Sequence, residues 1–151
     1  MQLNSYLGRG INDYLYAKNT MIDKTMSEYN WTAVIFSQAA EKILKAIIET
    51  KFADDSSCIQ LMRTHNLRTI VAKILERFPE SKLSSKDCKW LGDFYFDARY
   101  PGDDFIVVSG EDAIESMNIV ESILEEAEKI LDDNNSKELF EYYRLKVSNM
   151  S

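Results

Sequence analysis

His65 is the single histidine of this 151-residue chain and the side chain best suited to acid–base chemistry near neutral pH. It stands just before a predicted helix with Arg63 and Arg68 on either side of it, and Arg99 precedes Tyr100 at the end of another predicted helix. A guanidinium binds phosphate well, and an exposed tyrosine ring can stack on a base. We therefore predict a phosphate-bearing ligand for the group Arg63, His65, Arg68, Arg99 and Tyr100.

Structural roles for the same residues remain open alternatives. His65 could cap a helix or form a hydrogen bond across the fold. Arg99 could form a salt bridge with Asp97, Asp103 or Asp104 and so hold a turn. The aromatic residues Trp31, Trp90, Phe94 and Tyr95 are predicted in the core or at a dimer interface rather than as a platform for bases.

Metal and cofactor sites are not predicted. No second histidine and no cysteine lies at ligand spacing from His65. Asp93, Asp97, Asp103 and Asp104 could approach a cation, but helix capping and solubility explain them more simply. The chain has no glycine-rich phosphate loop and no catalytic serine or zinc motif. Its two cysteines, Cys58 and Cys88, are expected as reduced thiols, and no pattern supports a bridge between them.

The net charge of −7 is unevenly distributed along the chain. Residues 1–59 carry −1, residues 60–99 carry +3 and residues 100–151 carry −9. This total excludes a generally basic nucleic-acid binder, but the basic middle leaves room for a local anion site. Solvated helix faces are the alternative explanation. The glutamates of the last long helix could likewise face a partner or only water.

No secretory signal and no apolar run near the ~18 residues of a membrane span is present. We expect a cytoplasmic protein that does not contact a membrane.

Apolar residues recur at helical spacing in five segments, with a sixth in the tail. The first segment runs from about Asn4 to Glu28. The second follows Asn30, a predicted N-cap, and carries two adjacent apolar rows. The remaining segments run from about Asn66 to Pro79, from Ser84 to near Tyr100, from a capping box at Ser109 to Leu131, and from Lys137 to Met150.

Phe105, Ile106, Val107 and Val108 have strand propensity, but no second strand is predicted to pair with them, so we expect an extended loop. Each long helix has one apolar face, and the connections are short. The expected fold is an all-α, antiparallel, up-and-down bundle of four main helices plus one or two shorter ones. The expected domain spans residues 1–133, with residues 134–151 as a tail that could form a short amphipathic helix.

Three stretches in register resemble HEPN domains. Residues 31–46, WTAVIFSQAAEKILKA, resemble the second-helix signature, and Thr64-His65-Asn66-Leu67 resembles the entry to the third helix. Asp97-Ala98-Arg99-Tyr100-Pro101, followed by Ser109, Glu111, Asp112 and Ala113, resembles the Ala-Arg-Tyr-Pro segment and the last long helix. The resemblance covers about residues 5–131.

This resemblance implies a compact and usually dimeric helical bundle. Many HEPN domains are ribonucleases, often paired as toxins with a small nucleotidyltransferase antitoxin. The Ala-Arg-Tyr-Pro group is non-catalytic and is associated with binding nucleotides or nucleic acids or with dimerisation. The ribonuclease type carries an arginine, four to six residues and then a histidine.

That ribonuclease spacing is absent here. Positions 58, 59 and 60 are Cys58, Ile59 and Gln60, Arg63 is too close to His65, and no histidine follows Arg99. The sequence thus favours a non-catalytic binding module that is homodimeric. It would bind a nucleotide or RNA, or partner a nucleotidyltransferase-like protein. The alternatives are a divergent ribonuclease that uses His65 with nearby arginines, and a purely structural interaction module.

Overall fold

A computed structural model describes residues 1–23, 28–102 and 105–150 of the chain. Within these ranges it is helical and has no strand. The described residues form seven helices: α1 (Tyr6–Ile22), α2 (Asn30–Lys51), α3 (Cys58–Arg63), α4 (Leu67–Arg77), α5 (Ser85–Asp97), α6 (Gly110–Ile130) and α7 (Asn134–Ser148). The all-α bundle predicted from the sequence is confirmed. No helix in the described ranges has the length and apolar composition needed to cross a membrane.

Helix α2 lies at the centre of the bundle. It contacts α1, α3, α4, α5 and α6. Its two predicted apolar rows, which begin at Ile35 and Phe36, are buried over their whole length to Ile47 and Ile48. Burial on both rows explains why so many neighbours pack against one helix, since each must cover part of a broad apolar surface.

Helix α6 packs against α2. It begins at the predicted capping box, in which Ser109 and Asp112 each accept the backbone N–H of the other. The spacing from Ala113 to Leu131 gives a seam of small and branched side chains that is buried against α2. This seam has the heptad-like spacing of bundle helices.

The tail forms a longer helix than the pattern from Lys137 indicated. Asp133 caps α7 by accepting the N–H of Ser136, so the helix begins at Asn134. Leu139 and Phe140 are buried in the same core as the other helices. Helix α7 contacts α1 and α6, and Tyr142 donates a hydrogen bond of 2.9 Å to Asn12 of α1.

Two helix ends and one additional helix differ from the predictions. Helix α1 ends at Ile22 rather than Glu28, because Asp23 is extended and Ile22 is already half-exposed; residues 24–27 lie outside the described part of the chain. Helix α5 ends at Asp97 rather than near Tyr100, because the Asp97 carbonyl accepts the N–H of Ile106. The six-residue α3 was not predicted, since one turn and a half shows no apolar period.

Asn30 does not cap α2 as predicted. It is the first residue of the helix, is only 5 % exposed, and turns its amide to the segment between α5 and α6. Its Nδ2 donates to the carbonyl of Ile106 at 2.6 Å, and its Oδ1 accepts the N–H of Val108 at 2.9 Å. One side chain thus fastens the extended segment Phe105–Val108, whose lack of strand pairing was predicted, to the start of α2.

Replacement of Asn30 by alanine should therefore destabilise the fold. The backbone groups of Ile106 and Val108 would lose their partner in a largely buried place, at a cost of about 2–4 kcal/mol in the free energy of unfolding. Chemical denaturation followed by circular dichroism measures this change. Asn118→Ala, on the exposed face of α6, is the matched control and should alter stability by less than about 0.5 kcal/mol. Equal stability of the two variants would contradict the role given to Asn30.

Candidate functional site

His65 lies in the turn between α3 and α4, where α2 supplies it with a carboxylate. Its Nδ1 lies 2.9 Å from Oε1 of Glu41. A carboxylate can only accept, so the proton of this hydrogen bond is on Nδ1 and the ring presents its other nitrogen, Nε2, elsewhere. The His65 side chain is 50 % exposed, which leaves the ring accessible from solvent.

The second oxygen of Glu41 binds a lysine from the same helix. Lys45 Nζ lies 3.1 Å from Glu41 Oε2, and the Lys45 residue is only 4 % exposed. A buried ammonium needs an acceptor, so Glu41 is held between Lys45 and His65 and its carboxylate is fixed in place.

The side chains of His65 and Arg99 both pack against the ring of Tyr95 in α5. The imidazole stacks on the Tyr95 ring with centroids 5.0 Å apart and an interplanar angle of 19°. The guanidinium carbon of Arg99 lies 4.4 Å from the centre of that ring and 5.1 Å from the centre of the Tyr100 ring. Interaction with the side chain of Tyr100, and to a smaller extent with that of Tyr95, raises the pKa of Arg99 above its already high ordinary value. The result is an aromatic–cation stack that ends at Tyr100, which is 68 % exposed.

Arg68 lies between two surface depressions. The α3–α4 groove, of about 650 Å³, is lined by polar side chains of both helices with Leu61 and Ala72 among them. The smaller α4–α5 cleft, of about 190 Å³, is lined by His65, Arg68, Lys89 and the exposed Phe96. Arg68 and Asn66 contribute to both depressions, so together these form one surface across α3, α4 and α5.

The predicted residues are not all brought together. His65, Arg99 and Tyr100 meet around Tyr95, and Arg68 shares the α4–α5 cleft with His65. Arg63 is exposed at the end of α3 and lines neither depression. The alternative that Arg99 pairs with Asp97 is not seen, and Asp103 and Asp104 lie outside the described residues.

Residues that could hold a metal are not clustered in the described part of the chain, which has no group of three or more histidine, cysteine or acidic side chains in suitable positions. Both cysteines are free. Cys88 lies buried beneath the α4–α5 cleft, and burial raises the pKa of its thiol to about 12. A thiol with that pKa stays protonated near neutral pH and is a poor nucleophile.

The HEPN domain model matches residues 4–131. The chain belongs to the HEPN family. The match contains α1 to α6 and therefore all the residues of the stack and both depressions. Searches of the curated proteins and of the solved structures found no match.

Three residues of this HEPN site were missed in the sequence. Tyr95 is predicted in the core or at an interface, and neither Glu41 nor Lys45 is among the predicted site residues. The four-residue spacing of Glu41 and Lys45 was the available signal, since such a pair shares one face of a helix. Nothing in the sequence showed that the turn carrying His65 reaches Glu41 on this face.

Removal of the Glu41 charge should destabilise the fold, because the buried charge of Lys45 is then unpaired. Glu41→Gln leaves the ammonium without its counter-ion, and we expect a loss of about 3 kcal/mol in the free energy of unfolding. The double variant Glu41→Gln, Lys45→Met should recover most of the lost stability, because no buried charge remains. Urea denaturation of the two single variants and the double variant measures this coupling.

Glu76→Gln is the matched control for this cycle, since it breaks an exposed i,i+3 pair with Lys73. It should change stability by less than about 1 kcal/mol. Additive effects of Glu41→Gln and Lys45→Met would show that the two charges do not depend on each other.

Proposed function

We propose that this HEPN domain is a non-catalytic binding module whose ligand is a nucleotide. The observation that carries the proposal is the aromatic–cation stack. Arg99 is held over two tyrosine rings, where its positive charge would attract a phosphate, and the exposed ring of Tyr100 offers a face to a base. Phosphate and base are the two groups that every nucleotide presents together.

The adjoining depressions support the same proposal. The α3–α4 groove has the volume of a small-molecule site, for which roughly 300–1,000 Å³ is usual. Arg68 is exposed at its edge and makes no ion pair with the described residues, so it adds a second cation for a di- or triphosphate. The net charge of +3 over residues 60–99 favours an anion at this face.

Two partner proposals come from the family rather than from these contacts. We infer a homodimer, as is usual for HEPN domains, and association with a nucleotidyltransferase-like protein. In such a pair, the nucleotide bound at the proposed site would be a substrate or a product of the partner's nucleotidyl transfer.

Isothermal titration with ATP, UTP and a ten-nucleotide oligouridine tests the ligand. We expect saturable binding of at least one of them, weakened at least tenfold by Arg99→Ala through loss of the phosphate contact. Tyr100→Ala should weaken binding severalfold through loss of stacking. Arg63→Ala is the matched control, because Arg63 is an exposed arginine of the same region that lines neither depression, and its affinity should equal the wild type.

Two results would contradict this proposal. One is the absence of a binding heat with all three ligands at millimolar concentration. The other is an equal loss of affinity in Arg63→Ala and Arg99→Ala, which would indicate a diffuse charge effect instead of a site.

Ribonuclease activity is a second candidate, favoured by one observation. Glu41 binds Nδ1 of the half-exposed His65 ring, and a carboxylate on one ring nitrogen is the arrangement of a histidine that acts as a general acid or base through the other. Arg99 lies against the same Tyr95 ring and could stabilise charge on a phosphate. The arginine that the HEPN motif supplies through spacing would here come from another helix end.

Cleavage of single-stranded RNA separates this candidate from simple binding. On the ribonuclease hypothesis, wild-type protein cleaves an oligoribonucleotide but spares its 2′-deoxy analogue, and His65→Ala lowers the rate at least 100-fold. Arg63→Ala should retain the wild-type rate. Gel analysis of end-labelled substrate measures the rates, and cleavage that persists in His65→Ala would eliminate His65 as the catalyst.

A further inference from the structure

The segment Phe105–Val108 has the hydrogen-bonding pattern of an extended strand with one side occupied. Ile106 uses both of its backbone groups, since its N–H donates to Asp97 at 2.9 Å and its carbonyl accepts from Asn30. The N–H of Val108, two residues later, also donates a hydrogen bond to the side chain of Asn30. Alternate residues of an extended chain direct their backbone groups to the same side, so Val107 directs its own groups to the other side.

On that other side one backbone group is occupied, since the N–H of Phe105 donates to the carbonyl of Gly102 at 3.1 Å. The N–H and carbonyl of Val107 make no hydrogen bond with any described residue, and neither does the carbonyl of Phe105. Val107 is 76 % exposed, more than any other large apolar side chain in the described ranges. An unpaired edge of this kind is a template for another extended chain.

Apolar side chains accompany the open edge. Trp31 follows Asn30 directly and is 60 % exposed, while Phe105 and Ile106 are partly exposed in the segment itself. Trp31 was expected in the core or at an interface, and its exposure excludes the core. The segment contains no lysine and no proline, the residues that usually protect an edge from pairing.

Charge limits what can pair with this edge. From Tyr100 to Glu128 the sequence has nine carboxylate residues and no lysine, arginine or histidine. Acidic residues stand on both sides of the segment, at positions 103 and 104 before it and at Glu111 and Asp112 after it. An antiparallel pair of two copies would bring these like charges together, whereas a strand with basic ends would be attracted to both.

We propose that Phe105–Val108 is a docking edge for an extended segment of a different protein, apolar in its centre and with lysine or arginine at both ends. The partner strand would bond to the N–H and carbonyl of Val107 and to the carbonyl of Phe105. Its central side chains would pack beside Val107 and Trp31. The proposal is independent of the nucleotide site, because it uses other residues and main-chain groups.

Fluorescence anisotropy with a labelled synthetic peptide tests the docking edge. The probe alternates valine with threonine and has two lysines at each end. We expect saturable binding to the full chain and binding at least tenfold weaker for a peptide with glutamates at its ends. N-methylation of the central valine should also weaken binding at least tenfold, since it removes a main-chain donor.

Protein variants assign the binding to the edge. Val107→Pro removes an N–H that has no partner within the protein, so the fold should tolerate it, and it should lower affinity at least tenfold. Val107→Thr keeps the N–H and the β-branched shape, so it should lose much less affinity than Val107→Pro. If Val107→Pro fails to fold, as judged by its melting curve, the N-methylated peptide against wild-type protein decides the question.

Three outcomes would overturn the proposal. The first is no saturable binding of the lysine-ended peptide, and the second is equal affinity for the lysine-ended and glutamate-ended peptides. The third is a wild-type dimer in sedimentation velocity that Val107→Pro converts to a monomer, since the edge would then hold a second copy of this chain.

Discussion

The burial of α2 on nearly every side is the constraint on which the other elements depend. Because its two apolar rows need cover along 22 residues, five other helices contact it. Its buried polar residues add a second requirement, since each needs a hydrogen-bond partner. Thr32 meets Thr20 of α1, Lys45 meets Glu41, and Asn30 meets the segment before α6. The neighbours of α2 are therefore held by specific bonds as well as by apolar contact.

These polar positions place the two proposed binding surfaces at different levels of one helix. Asn30, the first residue of α2, fixes the docking edge, while Glu41 orients His65 eleven residues later. At 1.5 Å of rise per residue, the two positions are about 16 Å apart along the axis. A partner strand at the edge and a nucleotide beside Tyr100 would therefore contact different groups, although the end of α5 connects them through Asp97 and Arg99.

Whether a feature can be predicted from the sequence depends on how far apart in the chain its interacting residues lie. The apolar rows of α2, the seam of α6 and the capping box at Ser109 are local patterns, and each was predicted. The Glu41–His65 contact requires the turn after α3 to lie against α2, and the burial of Lys45 depends on how other elements pack there; spacing alone shows neither. Asn30 has the residue type of a cap, yet its partners lie more than 70 positions later in the chain.

The absence of the HEPN ribonuclease spacing does not by itself remove the chemistry of that motif, because a fold can supply an arginine from another element. Here Arg99 and His65 lie within 4.4 and 5.0 Å of the centre of one tyrosine ring. Binding requires only that a phosphate reach the guanidinium edge while a base meets Tyr100. Cleavage requires in addition that the 2′-hydroxyl lie at Nε2 of His65 while the same phosphate stays at Arg99. The stack meets the first condition with groups already in place, and for that reason we favour binding over cleavage.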